Sequence, residues 1–202
     1  MQDDSKTSEQ QATNSYQNDS YLQSQLLIAM PSLGDPYFEH SVTLICQHNK
    51  DGCFGLTFNS PIDITIDVLL DQLEITTEKL TSKDMPALRG GPVQIEQGFV
   101  IHDTDRKWEN TLAVNDNLAV TASRDILVDI ANGVGPDNFI LTLGCASWAP
   151  GQMEAEIMNN SWLNCPADNR IIFNMPFDQR WQGAADTLGV DVNLLSDVAG
   201  HD

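Results

Sequence analysis

The stretch from Leu26 to Pro61 constrains the fold more than any other part of the sequence. Residues 26–30 are a short apolar run that stops at a proline, which suits a strand and is too short for a capped helix. Residues 41–48 then alternate between two faces, as a second strand would. The turn residues Asn-Lys-Asp-Gly at 49–52 indicate that residues 54–59 return as the partner strand. We therefore expect a buried strand followed by a β-hairpin, against which the later segments pack.

The rest of the chain mixes strands and helices without strict β-α-β alternation. Further strands are predicted at residues 87–89, 98–102, 111–114, 118–121, 139–143 and 170–173. Helices are predicted at residues 66–73, 123–131, 153–163 and 178–188, and the polar residues 74–86 are predicted to be a surface excursion. Since strands outnumber helices and hairpin turns occur twice, the pattern favours an α+β fold with a mixed sheet.

The domain organisation follows from length and composition. Residues 1–20 carry almost no aliphatic side chains, so we expect a disordered acidic and polar tail. Residues 21–202 contain no linker and no internal repeat, which predicts one domain. Neither a signal peptide nor a run of membrane-spanning length is visible, so a cytoplasmic protein without membrane contact is expected.

The charge of the chain bears on its partners. The formal net charge is -19, and the ten basic residues are scattered. Neutralising phosphates needs a clustered basic face, so the sequence argues against direct binding to nucleic acid. An acidic surface suits solubility or a basic protein partner.

The four cysteines do not indicate a metal site or a cofactor, because none are in a C-x-x-C pair. A simple hairpin register places Cys46 opposite Gly55 and diagonal to Cys53. That diagonal separation, roughly 7–8 Å, exceeds what a disulfide normally spans. Reduced thiols packed as small core residues are the preferred interpretation, and a redox pair is the alternative.

Six spaced motifs resemble the YqgE/AlgH family of bacterial proteins. They are LLIAMPSLGDPYFEHSVTLICQHN, GCFGLTFNSP, RGGPV with the following GFVIH, TASRDIL, LGCASWAPGQMEAEIMNNSWL and VAGH. The resemblance runs in register from about residue 26 to residue 201, and Ser60 departs from it by standing where a Lys is common. It implies a cytoplasmic α+β domain with a branched, partly barrel-like β-sheet surrounded by helices. The family is labelled a transcriptional regulator, and no established activity comes with it.

Two of these motifs could bind ligands through backbone or imidazole groups. Gly90 and Gly91 could offer adjacent amides to an anion, or could form a tight turn that only glycine fits. His102 lies near Asp103 and Asp105, which suggests an elevated charge state or a metal. Three ligands on one loop lack a fourth donor, so we predict no metal site.

The motif around Ser147 could carry chemistry. Ser147 is predicted to follow a buried strand and precede a helix, where nucleophiles often lie, but the pattern is not G-x-S-x-G. No histidine is tied to it by the sequence, so no catalytic residue is assigned. Gln152 and Glu156 share a polar helix face, which predicts a solvated face or hydrogen bonds to a neighbouring loop. Trp148 could form the floor of a ligand pocket or belong to the core.

Asp35, Asn59 and Arg124 lie at the ends of predicted elements. Asp35 and Asn59 are expected to fix turns, and Arg124 is expected to pair with a carboxylate at a helix end. Their functional interpretation is an exposed rim around one cleft.

The leading hypothesis is a non-catalytic regulatory or protein-interaction module with an indirect role in transcriptional regulation. Its docking face would contain Gly90, Gly91, His102 and the segment 148–156. The alternative is a small-molecule-binding or hydrolytic enzyme that uses Ser147 or Glu156. Neither the identity of the partner nor the oligomeric state is indicated by the sequence.

Overall fold

Residues 21–191 are described by the structure, which is a computed structural model. The predicted tail at residues 1–20 and the VAGH motif lie outside the described residues. The strands are β1 (Gln25–Ala29), β2 (Val42–Asn49), β3 (Gly52–Thr57), β4 (Pro61–Thr65), β5 (Pro86–Arg89), β6 (Val93–His102), β7 (Thr111–Asn115), β8 (Leu118–Thr121), β9 (Phe139–Trp148) and β10 (Trp162–Pro166). The α-helices are α1 (Ile66–Gln72), α2 (Arg124–Ala131), α3 (Gln152–Met158) and α4 (Arg180–Asp186).

The strands form one connected sheet in the order β10-β1-β2-β3-β9-β6-β8-β7, with β5 also paired to β9 and β4 paired to β5. Most pairs are antiparallel, whereas β5 runs parallel to β9. Strand β9 is the branch point, because it pairs with β3, β5 and β6. The described residues therefore form a single α+β domain with a mixed, branched sheet. In this part of the chain the sheet is not closed, so a partly barrel-like shape stays a prediction.

Three apolar clusters hold the helices on the sheet. One lies between the sheet and α4, where Trp181 and Ala184 pack near Leu44 and Phe58. A second joins α1 and α2 to the middle of β6 and β9. The third lies under α3 and includes Met153. No helix within residues 21–191 is long and apolar enough to cross a membrane.

The two predicted hairpins are present, and their turns explain them. Asn49 accepts a hydrogen bond from the Asp51 amide through its side chain at 2.8 Å, and Asn115 does the same for the Asn117 amide. Such Asx turns stabilise the reversal of the chain. Helices α1 and α2 begin after Thr65 and Ser123, as predicted, and Gly133 closes α2 with a φ of +69°.

The register of the first hairpin differs from the simple prediction. Ile45 lies opposite Gly55 and Gln47 lies opposite Phe54, so Cys46 occupies a β-bulge between them. The prediction that Cys46 faces Gly55 is therefore wrong, because a bulge adds one residue to one strand. All four cysteines are free and buried. Burial raises the pKa of Cys53 to about 12, which fits packed thiols.

Two predicted elements are wrong, and a third is wrong in part. Residues 162–166 form strand β10 instead of ending a helix, because they pair with β1. Residues 170–174 form a short π-helix instead of a strand, and the Asp168 side chain accepts a hydrogen bond from the Arg170 amide at its start. The segment 74–86 is not wholly a surface excursion, because Ile75 and Leu80 are buried in the second cluster.

Candidate functional site

A cavity of about 440 Å³ lies between the end of β9, helix α3 and the segment that follows β1. We call it the Trp148 cavity. The candidate residues that line it are Asp35, Ser147, Trp148, Gln152 and Glu156. The structure therefore brings together half of the ten candidates, from two separate parts of the chain.

The side chain of Glu156 connects the walls of the Trp148 cavity. Its Oε2 accepts hydrogen bonds from the indole nitrogens of Trp148 at 3.0 Å and Trp162 at 2.8 Å. Its Oε1 accepts a hydrogen bond from Gln152 at 2.9 Å. Because both carboxylate oxygens are held by protein donors, the group orients the two rings and is poorly placed to act as a general acid. This helix face, which the sequence predicts to be solvated or bonded to a neighbouring loop, bonds to the loop amide of Ala149 and to tryptophans on β9 and β10.

Local geometry explains how Gln152 and Asp35 reach this site. Gly151 precedes α3 with a φ of +76°, and Gln152 accepts a hydrogen bond from the Ala149 amide at 3.0 Å. Asp35 accepts a hydrogen bond from the Tyr37 amide at 2.8 Å, so it fixes a turn as expected. That turn positions Phe38, whose ring stacks on Trp148 with centroids 6.1 Å apart. Sequence reasoning missed Phe38, whose only signal is its place just after the turn.

Ser147 lies inside strand β9, opposite Phe54, and its side chain is exposed. The prediction that it follows the strand is wrong, because β9 continues to Trp148. Within residues 21–191 no histidine is hydrogen-bonded to Ser147. His48 bonds instead to the Leu22 amide and to Glu154. Ser147 is thus not held by a base in the described part of the chain.

His102 is fully buried. Its Nε2 lies 2.8 Å from the Thr121 hydroxyl, its Nδ1 contacts the Asp103 carbonyl oxygen, and Trp108 packs edge-on against the ring. Burial lowers the pKa of His102, so the predicted elevated charge state is wrong. The contact with the Asp103 carbonyl and the charge of the Asp103 carboxylate both raise this pKa, and the loss of solvent outweighs them. Among residues 21–191, no group of three or more His, Cys, Asp or Glu side chains could hold a metal ion.

Gly90 and Gly91 allow the chain to pass close to β9. A Cβ on Gly90 would lie 2.1 Å from the Gly144 carbonyl oxygen, and one on Gly91 would lie 2.3 Å from the backbone of Cys145. The Gly90 amide already donates to the Leu143 carbonyl at 2.7 Å. This geometry favours the interpretation that only glycine fits, and it leaves the Gly90 amide unavailable to an anion.

Asn59 and Arg124 have structural contacts outside the Trp148 cavity. Asn59 accepts a hydrogen bond from the Val42 amide and donates one to the His40 carbonyl, both at 2.9 Å, so it fixes its loop as expected. Arg124 donates to the Leu73 carbonyl at 2.7 Å, so the predicted carboxylate partner is wrong. The carbonyl groups at the end of α1 lack helical donors, and the guanidinium satisfies one of them. The candidates therefore do not surround a single cleft.

The comparison with known proteins agrees with the sequence motifs. A family model described as AlgH-like matches residues 26–193. This chain belongs to the AlgH-like family. A UPF0301 protein of Stenotrophomonas maltophilia (strain K279a) is 49% identical over 180 residues, which cover 89% of this chain and 96% of that protein. One from Methylococcus capsulatus is 46% identical over 181 residues, covering 90% and 96%.

Two solved structures show a similar fold. The solution structure of AlgH from Pseudomonas aeruginosa is 39% identical, has a TM-score of 0.74 and covers 91% of this chain and 97% of that chain. A crystal structure from Corynebacterium diphtheriae, with a TM-score of 0.68 and 22% identity, covers 87% and 91%. The predicted family membership is confirmed. The relatives are uncharacterised UPF0301 proteins and indicate no enzymatic activity.

Proposed function

We propose that this AlgH-like protein is a non-catalytic interaction module that binds a basic segment of a protein partner in the Trp148 cavity. The observation that carries the proposal is the composition of the cavity wall. It combines the rings of Phe38, Trp148 and Trp162 with the carboxylates of Asp35 and Glu156, and no Lys, Arg or His lines it. Aromatic rings and carboxylates together attract a cationic side chain.

The charge of the whole chain supports a basic partner. A net charge of -19 raises the rate of encounter with a positively charged segment and opposes approach to nucleic acid. An effect on transcription would then be indirect, because the protein would act on its partner protein in the cytoplasm and not on nucleic acid. The proposed docking face contains fewer residues than the sequence predicts, because His102 and Gly90 are buried.

The enzyme alternative has weaker support. Ser147 lacks an imidazole partner in the described residues, and both oxygens of Glu156 are occupied by donors. Acyl transfer needs a base within hydrogen-bond reach of the nucleophile. A binding role uses the same residues without that requirement.

A peptide titration tests the proposed function. The probe is a capped seven-residue peptide with Arg and Lys separated by Ala, and its control has Gln at the basic positions. We expect saturable amide shifts at Phe38 and Trp148 with the basic peptide only. Asp35→Asn keeps an acceptor for the Tyr37 amide and should weaken binding about two- to fivefold, as for a partly exposed ion pair. Asp116→Asn removes an equal charge from an exposed turn outside the cavity and should change little.

Two results would contradict the proposal. One is equal binding of the basic and neutral peptides. The other is an equal loss of affinity in Asp35→Asn and Asp116→Asn, which would reduce the effect to the overall charge of the chain.

A further inference from the structure

A second cavity, of about 460 Å³, lies between α1, the start of α2 and the irregular part of β6. We call it the Arg124 cavity. It shares no lining residue with the Trp148 cavity. Its floor is apolar, with the buried side chains of Leu69, Val100 and Leu127. The volume and the apolar floor are typical of a small-molecule site.

Aliphatic side chains at the mouth of the Arg124 cavity are exposed without cover. Ile95 is 63% exposed and Leu73 is 37% exposed. Ile95 reaches this position because β6 shifts register between Val93 and Gly98. Irregularities of this kind in a strand often re-aim side chains beside a binding site. An apolar ligand in the cavity would remove these side chains from water.

The charge around the cavity differs from that of the chain. The sequence has 29 acidic and ten Lys or Arg residues. By contrast, the charged residues that line the Arg124 cavity are one cation, Arg124, and one acid, Glu96. An adjoining cavity of about 430 Å³ shares Ile95 and Leu143 with it and has one charged residue in its lining, Arg89. The lining of the Arg124 cavity is thus balanced in charge, and with Arg89 beside it an anionic ligand meets less repulsion there than the net charge of -19 would impose.

The guanidinium of Arg124 has hydrogen-bond donors that it does not use within the described residues. A guanidinium carries five N–H donors, and the structure shows one bond from this group, to the Leu73 carbonyl oxygen at 2.7 Å. That bond holds the side chain at the rim of the cavity. The planar fork binds a carboxylate with two parallel hydrogen bonds.

We propose that the Arg124 cavity binds a small amphipathic carboxylate. The carboxylate bonds to Arg124 at the rim, and the aliphatic body lies on the apolar floor against Ile95. This site is independent of the proposed protein partner, which binds elsewhere.

Octanoate is the probe, titrated into the full chain and followed by amide and methyl shifts. We expect saturable shifts at Ile95 and Leu127, and affinity that rises from hexanoate to decanoate by up to about fourfold per methylene. Octylammonium has the same chain and the opposite charge, and should not produce these shifts. Octanoate and octylammonium binding equally would overturn the proposal, as would shifts that never saturate.

Variants separate the charge from the apolar contact. Arg124→Gln should weaken octanoate binding about tenfold or more, since a charge-assisted bond is lost. Arg170→Gln, which removes an equal charge from an exposed residue outside both cavities, should leave binding unchanged. Ile95→Ser alters an exposed side chain without touching Arg124, and should weaken decanoate more than hexanoate. Equal affinities in Arg124→Gln and Arg170→Gln, or no effect of Ile95→Ser, would refute the assignment.

Discussion

Truncating Glu156 is the sharpest test of how the Trp148 cavity is built. Glu156→Ala removes the acceptor for two indole N–H groups, at 3.0 Å and 2.8 Å, and both rings belong to buried residues. A hydrogen bond to a charged group contributes about 1.5–3 kcal/mol to stability, and a buried donor left without a partner adds a desolvation cost. The third bond, from the exposed Gln152, contributes little.

The expected loss is smaller than the sum of these terms because Glu156 is only half-buried. Water that enters the cavity replaces part of the lost bonding. We therefore expect Glu156→Ala to lower the free energy of unfolding by about 3 kcal/mol. In a domain of this size, that corresponds to a fall in Tm of roughly 6–12 °C.

Urea unfolding followed by tryptophan fluorescence measures the change directly. The matched control is Met158→Ala in the same helix, where the side chain is 83% exposed. It should change stability by less than about 0.5 kcal/mol. Glu156→Gln keeps one acceptor oxygen, so its free energy of unfolding should lie between those of Glu156→Ala and Met158→Ala. If Glu156→Ala and Met158→Ala are equally stable, the carboxylate does not hold the two rings and the reasoning is refuted.

Two further predictions concern buried positions outside the cavity. Gly90→Ala places a Cβ 2.1 Å from the Gly144 oxygen and should lower the free energy of unfolding in urea by at least about 2 kcal/mol. Gly98→Ala, where the nearest atom is 3.8 Å from the new Cβ, should lower it by less than about 1 kcal/mol. Similar losses in the two variants would contradict the close approach at Gly90. Because burial lowers the pKa of His102, the unfolded chain binds a proton at higher pH than the folded chain does. The stability from the neutral ring is thus fully present above pH ~6.5 and is lost as pH falls towards the lowered pKa. His102→Asn should show a flatter loss of stability between about pH 7 and 5 than the unchanged protein, and parallel curves would exclude this origin.

Local signals predict the parts of the fold that depend on neighbours in sequence. The hairpin at residues 49–52 is predictable because its turn residues form their own hydrogen bonds. Strand β10 is not predictable from local signals, because its partner β1 lies more than 130 residues away and supplies the hydrogen bonds that define it. The bulge at Cys46 lies in a strand that is buried on both faces, and the residues of the hairpin turn do not reveal it.

The candidate site likewise has features that depend on neighbours in sequence and features that depend on long-range packing. The spacing of Gln152 and Glu156 predicts that they share one polar helix face, and the structure shows them bonded to each other. Which loop they face depends on long-range packing, so the contribution of Phe38 is invisible in the sequence. The sequence mispredicts the charge state of His102, because the adjacent acids are visible in a sequence and the burial of the ring is not.

The position of β9 as the branch point has a consequence for synthesis of the protein on the ribosome. Strands β3, β5 and β6 all depend on β9 for pairing, and β9 ends at Trp148. Until that residue leaves the exit tunnel, the nascent chain carries three open strand edges, which are templates for pairing with other chains. A slow passage through the codons for residues 103–138 would prolong this exposure, and with it the interval in which pairing with other chains competes with folding.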